Sequence, residues 1–264
     1  MLLRKYFYID ENFVNDAFAT IHGYDYNEKN IEQKTLRSLS ESDNENDIKN
    51  ITSGSATTIS ASLPISSKLQ DIIQYLENEC GGNLPFYESI SCDENSKIKR
   101  EYYFEGQFNI EFTKIERLGN LATGIQKIDS LLGTHKTDGL EGITQIQQLA
   151  KQERHKGLPC ILSFVNHSFV KCYAYLDESW IRGNKMNLIT EATILCKVIR
   201  IIKPDEKICL TDLSEYINMA FPDTPEGKRN RINAIKNGQM EKIKELEDQI
   251  EGPAIEVLPI AIYK

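Results

Sequence analysis

The stretch Ala254 to Tyr263 constrains the fold most. Its ten residues contain one charge, Glu256, and otherwise read Ala-Ile-x-Val-Leu-Pro-Ile-Ala-Ile-Tyr. Such a run is too short to cross a bilayer, which needs roughly 20 apolar residues. Left exposed, it would be an aggregation-prone edge. It is therefore expected to be a strand integral to the core. Pro259 cannot donate to a ladder, so an edge position or a bulge is expected there.

The rest of the chain supplies partners for that strand. Leu2 to Ile9 is an aromatic-rich strand candidate, and Asp10 is placed to cap a helix. That helix buries Phe13, Val14, Ala17, Phe18 and Ile21 on one side and stops at Gly23. A second helix follows Ser66-Ser67, with Leu69, Ile72, Ile73 and Leu76 at helical spacing and Gly81-Gly82 as terminator. Residues 98–116 are strand-like, Phe108, Ile110 and Phe112 alternating with polar residues, and Glu105-Gly106 suggests a bulge or tight turn. Helices are expected over 121–132 and 140–154, the latter opened by Asp138 and Glu141. Pro159 to Val165 and Phe169 to Leu176 flank Asn166-His167-Ser168 as a β-hairpin. Glu191 to Lys203 is a long strand closed by Pro204-Asp205, and Leu210 to Phe221 a short helix. Helices and strands are partly segregated and the second half opens on an antiparallel hairpin, so the fold class expected is α+β, with mixed or antiparallel sheets. Two parts are expected, 1–156 and 157–264, or one compact domain containing both. Residues 27–62, dominated by Ser, Asn, Thr, Glu and Lys, lack the apolar content to offset ordering entropy and are expected to be a mobile insertion with one weak strand near Thr57 to Ser60.

Composition narrows function mainly by exclusion. Among 264 residues, 40% are hydrophobic and 27% charged, the profile of a globular chain. The N-terminus reaches Asp10-Glu11 before a signal-peptide core could form, so a cytoplasmic location without membrane attachment is expected. The six cysteines include no Cys-x-x-Cys pair and most lie in apolar stretches, so reduced, buried thiols are the default expectation. A net charge of −8 weighs against a general nucleic-acid binder.

Three segments together resemble an uncharacterised bacterial family, one of the numbered domains of unknown function. They are Tyr8-Ile9-Asp10-Glu11 with Val14-Asn15, then Ala192 through Val198, and Gly252-Pro253-Ala254 through Pro259-Ile260-Ala261-Ile262-Tyr263. The family opening usually has Leu at the place of Ile9 and Gly at that of Cys196. The resemblance covers nearly the whole chain and implies no activity, so no functional residues carry over. Relatives in mobile genetic regions imply a host-conflict or phage-defence setting.

Each chemical motif has a plainer reading. On the hairpin, Cys172 is expected opposite Leu162 and Cys160 opposite Ala174, which makes the thiols diagonal neighbours about 7–8 Å apart, with His167 at the tip pointing away. His22, His135, His155 and His167 have no metal-ligand spacing, so no metal or cofactor is assigned. Gly227-Lys228 is followed by Arg229 where a phosphate loop needs Ser or Thr. Asp10 and Glu11 are adjacent at a helix start and do not face one another as an acid-base pair would. No catalytic residues are assigned.

The charged region from Glu226 to about Ile250 carries the one basic cluster of note, Lys228, Arg229, Arg231 and Lys236. Residues 226–236 set these four against Glu226, giving +3. Residues 241–251 set Glu241, Glu245, Glu247, Asp248 and Glu251 against Lys242 and Lys244, giving −3. This polarity opposes the helix dipole at both ends. Ile232, Ile235, Gln239, Ile243, Leu246 and Ile250 form a coiled-coil-like seam that keeps register across Gly238, so a continuous helix is expected, with Asn237-Gly238 as the place where it would otherwise break. Two copies packed antiparallel would match plus to minus. The expected function is that of a non-catalytic interaction or accessory protein acting through a protein partner or self-association, with the four cations as partner-binding candidates. Its alternatives are an enzyme or small-ligand binder built from dispersed residues, and nucleic-acid association through the Lys228–Lys236 cluster.

Overall fold

The computed structural model describes residues 4–23, 29–31, 59–61, 63–132, 157–211, 213, 217–218 and 221–264. In chain order these form β1 (Tyr6–Ile9), α1 (Glu11–His22), β2 (Lys29–Ile31), β3 (Ile59–Ala61), α2 (Ile65–Glu79), β4 (Phe86–Tyr87), α3 (Cys92–Asn95), β5 (Tyr103–Phe112) and α4 (Lys114–Leu132). There follow β6 (Leu158–Phe164), β7 (Lys171–Leu176), β8 (Glu191–Ile202), β9 (Lys207–Cys209), α5 (Pro225–Lys236), α6 (Gln239–Lys244), β10 (Gln249–Glu251) and β11 (Ala254–Tyr263). Helices combined with a seven-stranded mixed sheet make the fold α+β. The chain divides into two compact units, residues 1–10 with 80–264, and residues 11–79.

In the smaller unit α1 ends at Gly23, whose φ of 82° is the left-handed conformation glycine adopts without a Cβ penalty. Val14 and Phe18 are its buried residues, two of the five expected on that face. The second helix starts at Ile65, earlier than the Ser66-Ser67 cap reading allowed. Instead the Pro64 carbonyl accepts the first bonds, from the Ser67 and Lys68 amides. Leu69, Ile72 and Ile73 are buried on it, as the spacing predicts. The expectation of a mobile insertion over 27–62 falls almost wholly outside the described residues, apart from the antiparallel pair β2–β3. The helix expected over 140–154 lies outside them, and so does half of the one over Leu210 to Phe221.

In the larger unit the strand pairings close a ring. β5 pairs β6, β6 pairs β7, and β8 pairs both β5 and β11, all antiparallel, while β7 meets β11 in a parallel pair. Numbered along the chain, the five strands run 1-2-3-5-4 and back to 1. That order, with its single parallel pair between third and fifth, is the topology of the five-stranded Greek-key barrel known from oligonucleotide- and oligosaccharide-binding folds. Alternation points one side of every strand inward: Phe104, Phe108, Ile110 and Phe112 from β5, Cys160 and Leu162 from β6, Cys172 and Ala174 from β7. Ile194, Cys196 and Val198 from β8 and Ile255, Val257 and Ile262 from β11 complete the same core. Each fully buried Ile or Phe contributes roughly 1.5–3 kcal/mol.

β11 is thus central. It pairs with β8 along its length, with β7 over Ala254 to Glu256, and with β1 over Ala261 to Tyr263. Pro259 sits at a register irregularity against β8, the bulge alternative of the two expected at this residue. The hairpin register is the expected one, Leu162 opposite Cys172 and Cys160 opposite Ala174.

Two expectations are corrected within β5. The Glu105-Gly106 step is no bulge, since the ladder to β8 runs unbroken from Tyr103 to Asn109. Gly106 is needed for a different reason: a Cβ there would lie 2.4 Å from the Phe108 ring, which folds over its backbone. The strand also ends at Phe112, and the next helix begins at Lys114 rather than near Leu121. A distant residue explains that early start. Asp248 accepts from the Lys114 amide at 2.6 Å, satisfying a first-turn donor that the local sequence does not cap.

Candidate functional site

The basic cluster lies on α5, in the connection between the fourth and fifth barrel strands. Its start is set by Thr224, whose side chain accepts from the Gly227 amide while Pro225 occupies the first turn. Gly227 is required by contact, because a Cβ would come within 2.0 Å of the Pro222 carbonyl oxygen. Its amide is taken by Thr224 Oγ1 and that of Lys228 by the Thr224 carbonyl. Gly227-Lys228 is therefore an ordinary helix turn rather than a phosphate cradle.

The expected continuous helix is not found. Asn237 ends α5 and Gly238, at φ 68° and ψ 11°, separates it from α6. α6 stops at Lys244, and Ile250 belongs to β10, paired with Ile208 of β9. The seam was a coincidence of spacing across a helix, a turn and a strand. The face turned inward is another one. Gly227 and Ala234 are the buried residues of α5, and Ala234 packs with Met240, Ile115, Leu213 and Ile217, bordered by Phe221, Ile243 and Leu246.

At about 100° per residue, Gly227 and Ala234 mark one side of α5, while Ile235, Lys228, Ile232, Lys236 and Arg229 follow one another around the other. Lys228, Arg229, Arg231 and Lys236 are all exposed. Ile232 is 51% exposed and Ile235 57%. Lys228 reaches Asp223 at 2.8 Å, a pair too solvated to count for much. Arg229, Arg231 and Lys236 have no ion-pair partner among the described residues. The fold thus brings the four sequence candidates together and adds two isoleucines between them. Those two were legible as apolar residues but were expected to be covered.

The barrel surface that such folds use for ligands, the outside of the second and third strands with the flanking loops, is occupied here. Tyr173 and Tyr175 form an edge-to-face pair on it, with Ile161 beside them. Leu210, Ile250 and Ile208, from the β9–β10 ribbon and its end, pack on these residues, leaving Tyr173 buried. Burial, aided by the hydrogen bond to Glu256, pushes the Tyr173 hydroxyl well above its ordinary range, so it stays a neutral donor.

The remaining polar clusters are closed on themselves. The Tyr263 hydroxyl donates to Glu105, and Arg4 stands 3.6 Å from the same carboxylate and 4.4 Å above the Tyr263 ring. Lys185 bridges buried Glu116 at 2.7 Å and Glu178 at 3.1 Å. Cys160, Cys172 and Cys196 are free thiols inside the barrel. Burial pushes the Cys160 thiol up to about 12 and also raises those of Cys172 and Cys196 well above the usual thiol range, which removes thiolate character. His167 is exposed at the hairpin tip. Among the described residues no group of three His, Cys, Asp or Glu could hold a metal ion. His135 and His155 lie outside them. No helix among the described residues is long and apolar enough to cross a membrane.

No curated protein and no solved structure matches the chain. A family model does match, over residues 3–263. The chain belongs to the DUF6414 family, a domain of unknown function.

Proposed function

We propose that this protein acts by binding another macromolecule through the outward face of α5. The observation that carries this reading is the placement of two half-exposed isoleucines, Ile232 and Ile235, inside a frame of four exposed cations, three of which have no ion-pair partner among the described residues. Apolar side chains at the centre of a charged rim are the anatomy of a contact surface. Two features of the barrel support it. Its interior is filled by Phe104, Phe108 and Phe112, and its outer second- and third-strand face is occupied by the chain's own ribbon. Neither leaves the usual ligand position of the topology open.

The test is a photo-crosslinking side chain installed at Ile235 in the full chain, in cells that express it. A matched installation at Met186, exposed to 49%, serves as the control. A discrete adduct at 235, absent at 186 and lost when Arg229→Glu and Arg231→Glu are added, is the expected result. Equal labelling at both positions, or none at 235, refutes the assignment of α5.

A further inference from the structure

Resting on the α5 reading, we infer that the partner is an acidic amphipathic polypeptide segment of another protein, presenting apolar side chains to Ile232 and Ile235 and carboxylates to Lys228, Arg229, Arg231 and Lys236. Charge complementarity chooses the sign. Lys228 and Arg229 lie in the first two turns of α5, where the dipole is already positive, and Asp223 is the sole ion-pair partner of the four among the described residues. A nearby anion would relieve both the dipole and the mutual repulsion of the cations.

The isoleucines choose polypeptide over nucleic acid. A phosphate backbone neutralises cations but leaves Ile232 and Ile235 in water. Bases would need aromatic platforms, and α5, Pro-Glu-Gly-Lys-Arg-Asn-Arg-Ile-Asn-Ala-Ile-Lys, has none. The chain's net charge of −8 further repels a long polyanion at a distance, whereas a short acidic segment meets mainly the local patch. The same net charge disfavours a second copy as the occupant. Two of the chain's downstream acids are also committed, Asp248 to Lys114 and Glu251 to Lys207.

Ile232 and Ile235 are three residues apart on one helix. They accept a segment whose own apolar residues recur at three and four, as one helix seats against another. Rim carboxylates then set orientation and association rate, and the isoleucines set dwell time.

The probe is a synthetic peptide with Leu at heptad a and d positions and Glu elsewhere, titrated with the full chain by fluorescence anisotropy. Two controls accompany it, the same peptide with every Leu replaced by Ser, and single-stranded oligo(dT). The expected result is that the Leu peptide binds roughly tenfold or more tightly than either control and weakens with salt. Ile232→Ser with Ile235→Ser, and separately Arg229→Glu with Arg231→Glu, should each lower its affinity by a similar factor. All variants are at exposed positions, so an unchanged melting temperature checks that they fold. Oligo(dT) binding as tightly as the Leu peptide overturns the inference in favour of nucleic acid. A dimer in light scattering that the isoleucine substitutions dissolve overturns it in favour of a second copy. No peptide binding, with the crosslink at 235 intact, overturns the partner chemistry alone; loss of that crosslink too removes the parent reading.

Discussion

Replacing Gly238 by alanine separates two backbone readings of the charged region by sign as well as size. Gly238 sits at φ 68° and ψ 11°, the left-handed region, directly after the Asn237 that ends α5. An added Cβ would meet nothing closer than a Glu241 carboxylate oxygen at 3.9 Å, so packing contributes no penalty and the cost is purely conformational. An L-residue in that region costs roughly 1–2 kcal/mol. Alanine's smaller unfolded-state entropy returns about 0.4–1 kcal/mol. The expected net effect is a loss of about 1 kcal/mol, visible as a melting temperature lower by roughly 2–4 °C for a chain of this size. In a continuous helix the same substitution would stabilise by about 0.8–1 kcal/mol. The assay is thermal and denaturant unfolding of Gly238→Ala beside Gly238→Asn. Asparagine tolerates the left-handed region better than alanine, so it should fall between glycine and alanine. A Gly238→Ala protein as stable as the parent, or more so, would refute the helix break and restore the single long helix.

Three further outcomes follow from contacts elsewhere. Gly252→Ala would place a Cβ 1.8 Å from the Lys203 carbonyl oxygen, backbone against backbone, and should cost several kcal/mol, read as loss of soluble protein or a collapsed denaturant midpoint. In thiol titration with an aromatic disulfide, exposed Cys80, Cys92 and Cys209 should react promptly, and barrel-enclosed Cys160, Cys172 and Cys196 only on unfolding; six fast thiols in the native protein would contradict the barrel. Asp248→Ala removes the acceptor of the Lys114 amide and the ion pair at 3.7 Å, and should destabilise by about 1–2 kcal/mol in urea melts, while Asp248→Asn, which keeps an acceptor, should lose less.

What was legible in the sequence depended on local period and turn chemistry. The first helix ends at Gly23 because the periodic apolar face and the glycine stop act within a few residues of each other. The Leu162–Cys172 pairing follows from a short turn and strict alternation, and both are local. Barrel closure was not legible, because it rests on Ala254 meeting Lys171 in parallel and on β8 joining Phe104 to Pro259 through Cys196, pairings between segments far apart in the chain. Gly106 misled because glycine in a strand signals a bulge or a close neighbour equally, and only the fold of the Phe108 ring decides which. The early start of α4 was hidden for the same reason, since its capping carboxylate comes from Asp248, 134 residues away. At the candidate site the cations could be read, but the orientation of α5 could not. Helical spacing gives a stripe, whereas burial follows from what lies beneath it.

That orientation fixes the size of the exposed patch. Small residues, Gly227 and Ala234, face inward on α5, which lets its backbone approach the layer of Ile115, Leu213 and Ile217 closely. The β-branched bulk of Ile232 and Ile235 is left on the far side. Had the helix continued through Gly238, the stripe would have run on to Ile243, exposing a seam long enough to drive self-association. The left-handed turn at Gly238 redirects the chain, so that Met240, Ile243 and Leu246 join the cluster beneath instead. Two isoleucines remain outside, too few for a stable coiled-coil seam and enough to anchor a short segment whose remaining affinity comes from charge. The break in the helix and the modest, salt-sensitive binding expected of α5 are thus linked. A straightened helix would lengthen the apolar stripe and turn a selective contact into a sticky one; because Gly238→Ala keeps the turn at a conformational cost, concentration-dependent light scattering of that variant should show no new self-association, and its appearance would mean that the turn had been lost.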